Sequence, residues 1–285
     1  MKNKFKVKDL PEIFKKTAAS WYKSEPFRLS AIIAYYSILS LPAFTIIILN
    51  VVGSIWGQEI VQGELLDEIT KALGPDTAES IRLMILEKGS SSTSRFTTVI
   101  GIATLIYGST GVFFQLQSAF DKIWEAESQF KNGIIAIIVS RVKSFGFILI
   151  LGFLLLVSLI LTSLLSAFSK QLEPLLPENL FESIYIIDII TSLVIIYVLF
   201  AAMFKFLPNI KVPWKSVRIG AALTAILFLT GKHLLALYFR EMQPGSTYGA
   251  AGSVILIMLW VSYTSLILFF GAQFTKVYSD FYIKK

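Results

Sequence analysis

The chain is 285 residues long, with 55% hydrophobic residues, 16% charged residues and a formal net charge of +7. Because soluble domains average roughly 45–50% apolar and about 25% charged residues, this composition excludes an ordinary soluble enzyme. The absence of cysteine excludes disulfides, zinc–thiolate sites and a thiol nucleophile. The single histidine, His233, leaves little material for a histidine-based metal cluster, so we expect neither metal nor cofactor.

The first 30 residues predict a basic amphipathic helix. They carry eight Lys and Arg against three acids, and apolar residues recur at helical spacing with lysines opposite them. Asp9 followed by Glu12 resembles a capping box. Two interpretations stay open: a helix in the headgroup plane with Trp21 and Tyr22 at the interface, and a cytosolic helix packed on its own bundle. The next apolar run is far longer than the roughly 7–15-residue core of a signal peptide, so we expect no cleaved signal.

Long apolar runs predict membrane-spanning helices along the rest of the chain. The last run, 250–274, holds 25 consecutive residues without a formal charge, and about 20 helical residues cross the hydrocarbon of a bilayer. Loop 57–95 predicts two short external helices separated by Gly74 and Pro75. We therefore predict an all-α polytopic membrane protein, a bundle with six spans at 32–56, 97–120, 145–168, 184–204, 219–239 and 250–274.

Small and polar residues distinguish spans two and six. Lipid does not favour such groups but a neighbouring helix does, so we expect these two spans to approach closely at the bundle centre. The predicted helix-packing residues are Gly108, Gly111, Gly252 and Ser253. Gln115 and Gln117 on span two are candidate substrate- or ion-binding residues. Pro42 interrupts span one, where a plain kink and a broken helix that lines a substrate path both stay open.

The basic residues predict the orientation of the bundle. The N-terminus, the second and fourth loops and the tail hold 19 Lys and Arg, whereas the other three loops hold 6. The positive-inside rule therefore places both termini in the cytoplasm. Anionic lipid and the membrane potential account for the net positive charge, so no nucleic-acid partner is expected. The predicted division is a cytoplasmic segment 1–30, a transmembrane domain 31–275 and a cytoplasmic tail 276–285.

Ionisable groups inside the spans supply the candidate site. Asp188 on span four and Lys232 with His233 on span five share a predicted layer roughly 6–10 Å below the outer boundary. Asn50 on span one falls at a similar depth. One interpretation is an outward-facing cavity that binds an anionic substrate or relays protons, with His233 changing charge near neutral pH. The other is that Lys232 snorkels to the outer headgroups while Asp188 sits at a frayed helix start.

Four local patterns stand in order along the chain: AYYSILSLPAF, YGSTGVFFQLQSAFDKIW, KFLPNIKVPWKSVRIGA and STYGAAGSVILIMLWVSYTSLILFFGAQFTKVY. In these patterns the chain resembles the YihY/BrkB family of bacterial inner-membrane proteins, members of which were once labelled ribonuclease BN. The resemblance covers nearly the whole chain and implies a six-helix inner-membrane protein. It implies no settled activity, because suggestions for the family range from transport or lipid export to serum resistance.

Two classes of function remain. Intramembrane ionisable groups favour a transporter, an exporter or a lipid translocator, because such groups are expensive in hydrocarbon unless they line a cavity. A structural or scaffolding protein of the cell envelope would equally lack catalytic motifs. We do not expect an enzyme, since the acids lack the metal-ligand spacing of a ribonuclease and the string Gly245 to Gly249 is not the G-x-S-x-G of a hydrolase. The expected partners are membrane lipids and an anionic small molecule or lipid.

Overall fold

The structure is a computed structural model that describes residues 7–51, isolated positions between 57 and 83, and residues 111–126, 181–244 and 251–283. For 41–51 and 181–189 it describes the backbone alone. The described residues form helices and no strands, which confirms the all-α class for this part of the chain. After a 3-10 turn at Val7–Asp9 the helices are α1 Leu10–Lys23, α2 Pro26–Val51, α3 111–123, α4 Phe181–Phe206, α5 Trp214–Met242 and α6 Gly252–Tyr282.

Helices α5 and α6 are long and apolar enough to cross a membrane, by length and composition. They have 29 and 31 residues, and at 1.5 Å per residue they extend about 44 and about 46 Å. Both lengths exceed the roughly 30 Å of bilayer hydrocarbon, so the helix ends reach beyond it. Helix α4 contributes a shorter apolar segment, Ile190–Phe206. Predicted span three, residues 97–110 of span two and most of loop 57–95 lie outside the described residues, so the count of six spans stays a prediction.

Helices α1 and α2 meet at an elbow formed by Ser24 and Glu25. The hydroxyl of Ser24 donates to the carbonyl of Trp21 at 2.7 Å, and Glu25 adopts a left-handed φ of 58°. Pro26 then begins α2, a position where its missing N–H would have no helical partner in any case. Helix α2 continues through Pro42 to its end at Val51.

The capping box expected at the start of α1 is not formed. Asp9 has helical backbone angles and makes no side-chain capping bond. Its Oδ2 instead accepts a hydrogen bond of 2.7 Å from the hydroxyl of Tyr282. A contact with the last turn of α6 has therefore replaced the local cap, and it joins the first helix to the last.

Helices α5 and α6 run antiparallel and approach most closely at four residues, which we call the Gly–Thr crossing: Gly220, Thr224, Gly271 and Thr275. A Cβ on Gly220 would lie 1.8 Å from Oγ1 of Thr275, and a Cβ on Gly271 would lie 1.8 Å from Oγ1 of Thr224. Each threonine hydroxyl donates to the carbonyl of the glycine four residues earlier in its own helix, at 2.7 Å in both cases. Both hydroxyls are thus satisfied within their helices, which lets the backbones pack without an unpaired polar group.

The apolar core fills the space between α2, α3, α4, α5 and α6. Aromatic contacts run across it: the rings of Phe120 and Phe204 lie 5.9 Å apart and join α3 to α4, and those of Phe200 and Phe228 lie 5.6 Å apart and join α4 to α5. These contacts fix the relative positions of the helices that carry the candidate polar residues.

Candidate functional site

Two adjacent ionisable residues lie within the apolar helix α5. Lys232 is half-buried and His233 is exposed. Lys232 follows Phe228 by four residues, so both lie on the same face of the helix. Because the Phe228 ring contacts Phe200, this is the face that α5 turns toward α4. The structure therefore places the lysine toward α4 and the histidine on the outer surface of the helix.

Two ring contacts set the register between α4 and α5. Phe206 lies 6.3 Å from Trp214 near the loop that joins the helices, and Phe200 lies 5.6 Å from Phe228 further along. The contacting residue numbers rise along α5 as they fall along α4, so the two helices are antiparallel. Counting back from Phe206 and Trp214 places Lys232 level with residue 188 of α4, whereas counting from Phe200 and Phe228, which lie nearer to Lys232, places it level with residue 196.

The remaining members of the predicted outer layer are described only in part. Asp188 lies in α4 and Asn50 lies in α2, but both side chains fall outside the described residues. The register is compatible with an Asp188–Lys232 pair. The pair itself stays a prediction.

A second polar cluster lies at the other end of α5. Asn209, in the loop between α4 and α5, donates to Asp121 twice: its backbone N–H to Oδ1 at 2.8 Å and its Nδ2 to Oδ2 at 2.6 Å. Nε2 of Gln117, a buried residue, donates to Oδ1 of Asn209 at 3.3 Å. Gln117 thus binds a loop residue of its own chain, while Gln115 is half-buried.

Ion pairs extend this cluster across the same end of the bundle. Lys122 reaches Glu25 at the α1–α2 elbow at 3.1 Å, and Lys276 on α6 reaches Glu125 at 2.7 Å. We call the whole group the charged end, and its members are Glu25, Asp121, Lys122, Glu125, Asn209 and Lys276. The C-terminal end of α3 is therefore bound to the elbow, to the α4–α5 loop and to α6.

The carboxylate of Glu25 is held in its charged form. The hydrogen bond from Lys122, followed by the positive charge of Arg28, keeps the pKa of Glu25 below its usual value of 4.5. Arg28 lies 2.5 Å from the same carboxylate. This contact is therefore intact at neutral pH.

The structure describes three of the four predicted helix-packing residues, and they lie in different contacts. Gly111 is buried, and a Cβ there would lie 2.5 Å from Cδ1 of Tyr36 on α2. Gly252 and Ser253 are buried at the start of α6, and Gly108 lies outside the described residues. The closest approaches of described glycines on spans two and six are therefore to α2 and α5.

Sequence reasoning missed the residues that make the most specific contacts. Gly220 and Thr224 lie four apart, as do Gly271 and Thr275, and this small-xxx-small spacing was the available signal. Asp121 and Asn209 carried no signal, because they are 88 positions apart. Among the described residues, His, Asp and Glu form no group of three that could hold a metal ion.

Comparison with known proteins adds a family. The family model described as "Virulence factor BrkB" matches residues 19–283. Three similar proteins are each named UPF0761 membrane protein. The one from Cronobacter sakazakii is 27% identical over 266 residues and covers 89% of this chain and 83% of the relative. The one from Psychromonas ingrahamii is 24% identical over 270 residues and covers 92% of this chain and 86% of the relative. The one from Pseudoalteromonas atlantica is 23% identical over 252 residues and covers 88% of this chain and 80% of the relative. No solved structure matches the chain.

Proposed function

Because the chain belongs to the virulence factor BrkB family, whose similar members are named membrane proteins, we propose that it moves an anionic small molecule or lipid across a bacterial inner membrane. The chain then crosses the membrane several times with both termini in the cytoplasm. The family name and the names of the relatives state no activity, so the proposal depends on the residues themselves.

One observation carries the proposal: Lys232, next to His233, lies half-buried in the apolar run 219–239 of α5, on the face that meets α4. A charge near the middle of a span costs about 2.5–3.5 kcal/mol on insertion scales, and proteins retain such charges chiefly where they serve substrates or ions. Asp188 is the acid of α4 that the register brings nearest to this level. Pairing would offset part of the cost and leave a site that an anion could enter by displacing the carboxylate.

The opposite ends of the bundle differ in a way that suits one-sided access. Lys232 lies 18 residues beyond Trp214, the first residue of α5, which is about 27 Å along the helix. At the Trp214 end, ion pairs and hydrogen bonds of the charged end link α3 to its neighbours. We infer a site that opens toward the outer face while the charged end closes the inner face.

The proposal is tested by flux in proteoliposomes that contain the full chain. Two probes separate the substrate classes: NBD-labelled phosphatidylglycerol with dithionite bleaching for lipid movement, and radiolabelled inorganic phosphate for small anions. We expect one of them to move faster than in protein-free liposomes, and Lys232→Gln to abolish the gain while Lys232→Arg retains part of it. Arg240→Gln, which removes an exposed cation at the end of the same helix, is the matched control. If neither probe moves faster than in empty liposomes, a scaffolding role replaces transport.

A double-mutant cycle tests the pair. In the proposed pair, Asp188→Asn and Lys232→Gln would each leave one charge within a span without its partner, so each is expected to lower folded yield more than the double variant does. A double variant no better than the sum of the two single variants would show that the side chains do not interact.

A further inference from the structure

Helix α1 is bound along one side to the last turns of α6. Ile13 and Thr17 are fully buried in this contact. The ring of Phe14 lies 5.4 Å from that of Phe274, and the ring of Trp21 lies 6.0 Å from that of Phe270. The apolar stripe of α1 is therefore already covered by protein, as the packed interpretation of this helix expected.

The contacts also set the height of α1 relative to the membrane. Asp9 at the start of the helix meets Tyr282, whereas Trp21 near its end meets Phe270. Phe270 lies four residues inside the predicted end of the sixth span at Phe274. With the sixth span ending at Phe274, as the sequence predicts, the end of α1 and the elbow that follows lie at the level of the bilayer surface.

At this level three aromatic side chains of the described residues are partly or largely exposed. Tyr22 is 73% exposed, Phe27 at the start of α2 is 60% exposed and Phe14 is 38% exposed. Phe14, Ala18 and Tyr22 are spaced four residues apart and form one stripe beside the buried one. Tyrosine and other aromatic rings at this depth are typical anchors in the headgroup region, where the ring meets acyl chains and the hydroxyl meets water.

Basic side chains lie next to the aromatic stripe. Lys15 and Lys23 are exposed, and within the described residues no acid forms an ion pair with either of them. Lys16, further round the helix, is paired with Glu12 at 2.8 Å and lies over the ring of Phe281 at 4.4 Å. The lysines beside the aromatic stripe are therefore the ones available to an external anion.

We propose that the exposed side of α1 and the elbow, formed by Phe14, Lys15, Tyr22, Lys23 and Phe27, binds anionic phospholipid of the inner leaflet. The rings enter the headgroup region, and the two ammonium groups meet lipid phosphates, which attract basic residues near a membrane surface. Helix α1 thus packs on α6 along one side, and its exposed side meets lipid near the elbow, whereas its first turn lies in water. This binding does not depend on substrate transport, so it holds for a scaffolding protein as well.

The position of the helix is tested with the full chain in vesicles, using its lack of native cysteine. A nitroxide on Tyr22→Cys is compared with one on Glu12→Cys, an exposed site at the start of the same helix, near the end that meets Tyr282. Collisions with oxygen, which concentrates in lipid, are expected to dominate at position 22, and collisions with a water-soluble nickel chelate at position 12. Equal nickel accessibility at both positions would overturn the proposal, because α1 would then be surrounded by water.

The lipid charge is tested with spin-labelled phosphatidylglycerol and phosphatidylcholine. We expect the chain to bind phosphatidylglycerol preferentially, and Lys15→Gln with Lys23→Gln to reduce that preference by about five-fold per lysine. Lys211→Gln with Lys215→Gln removes the same charge from exposed sites at the α4–α5 connection and serves as the control. An equal loss in the control would mean general attraction by net charge, and an unchanged preference in the α1 variant would mean that these lysines do not meet lipid; either result contradicts the proposal.

Discussion

Thr224 and Gly271 face each other across α5 and α6 so closely that a Cβ on the glycine would lie 1.8 Å from the threonine Oγ1. One turn away the same relationship is reversed, with Gly220 against Thr275 at the same distance. Each helix therefore offers a threonine to a glycine and a glycine to a threonine. In hydrocarbon, where apolar surface gives little driving force between helices, this close backbone contact is a main source of attraction.

The first prediction concerns this crossing. Gly271→Ala is expected to destabilise the folded protein by about 1–3 kcal/mol, because the added methyl overlaps Thr224 in a packed interface. Thr224→Gly alone leaves a gap. The double variant Thr224→Gly with Gly271→Thr should keep most of the stability, because the threonine and the glycine have only exchanged helices. Thermal unfolding of the purified protein in one detergent measures the effect. Gly63→Ala, where no atom lies within 4 Å of the new Cβ, is the control; equal losses at positions 63 and 271 would contradict the packing argument.

The second prediction concerns the contact between α3 and the α4–α5 loop. Asp121 accepts two hydrogen bonds from Asn209, and hydrogen bonds to a charged group contribute on the order of 1.5–3 kcal/mol. Asp121→Ala should therefore lower the unfolding midpoint, and Asn209→Ala should lower it less because the backbone bond survives. The loss in the double variant should be smaller than the sum of the two. Strict additivity would show that the residues act independently.

The third prediction is a pH dependence at the elbow. The pKa of Glu25 is lowered by Lys122 and then by Arg28, so its contribution to stability is present above the unfolded value of 4.5 and is lost as the pH falls through the lower folded value. The difference in unfolding midpoint between the wild type and Glu25→Gln should be constant from neutral pH down to about 4.5 and shrink below it. A difference that shrinks between neutral pH and 4.5 would require another titrating group.

The fourth prediction is topology. The uneven distribution of Lys and Arg places loop 57–95 outside and the tail inside. A membrane-impermeant thiol reagent should therefore label Ser91→Cys in intact cells, whereas Lys284→Cys should be labelled only after permeabilisation. The reverse pattern would invert the whole arrangement, including the proposed outer access to Lys232.

The long apolar helices were the most predictable part of this fold, though their ends were not. Span five was expected at 219–239 and span six at 250–274, whereas α5 covers Trp214–Met242 and α6 covers Gly252–Tyr282. Hydropathy indicates which residues are apolar enough for the bilayer hydrocarbon, but the backbone hydrogen bonds of a helix continue beyond those residues. Arg218 and Lys276 border the apolar runs, but both lie inside their helices.

The candidate site was less predictable, because its geometry depends on residues far apart in the sequence. Lys232 was recognisable as a charge in an apolar run. The small residues of α5 and α6 lie four positions apart, a spacing that indicates close helix packing. No residue near Asp121 or Asn209 in the sequence indicates that the two side chains meet. Likewise, no residue near Asp9 indicates that its carboxylate binds Tyr282 and does not cap its own helix. Long-range contacts of this kind follow from the packed bundle, which the sequence order alone does not contain.

The docking of α1 on α6 has a consequence for the order of synthesis. Helix α1 leaves the ribosome before most of the described chain, whereas its partner surface, Phe270 to Tyr282, belongs to the last described helix. At roughly 5–20 residues per second the intervening chain takes on the order of ten to fifty seconds to make. Throughout that interval lipid or a chaperone must shelter Ile13, Phe14 and Trp21, so α1 is made long before it can reach its final place.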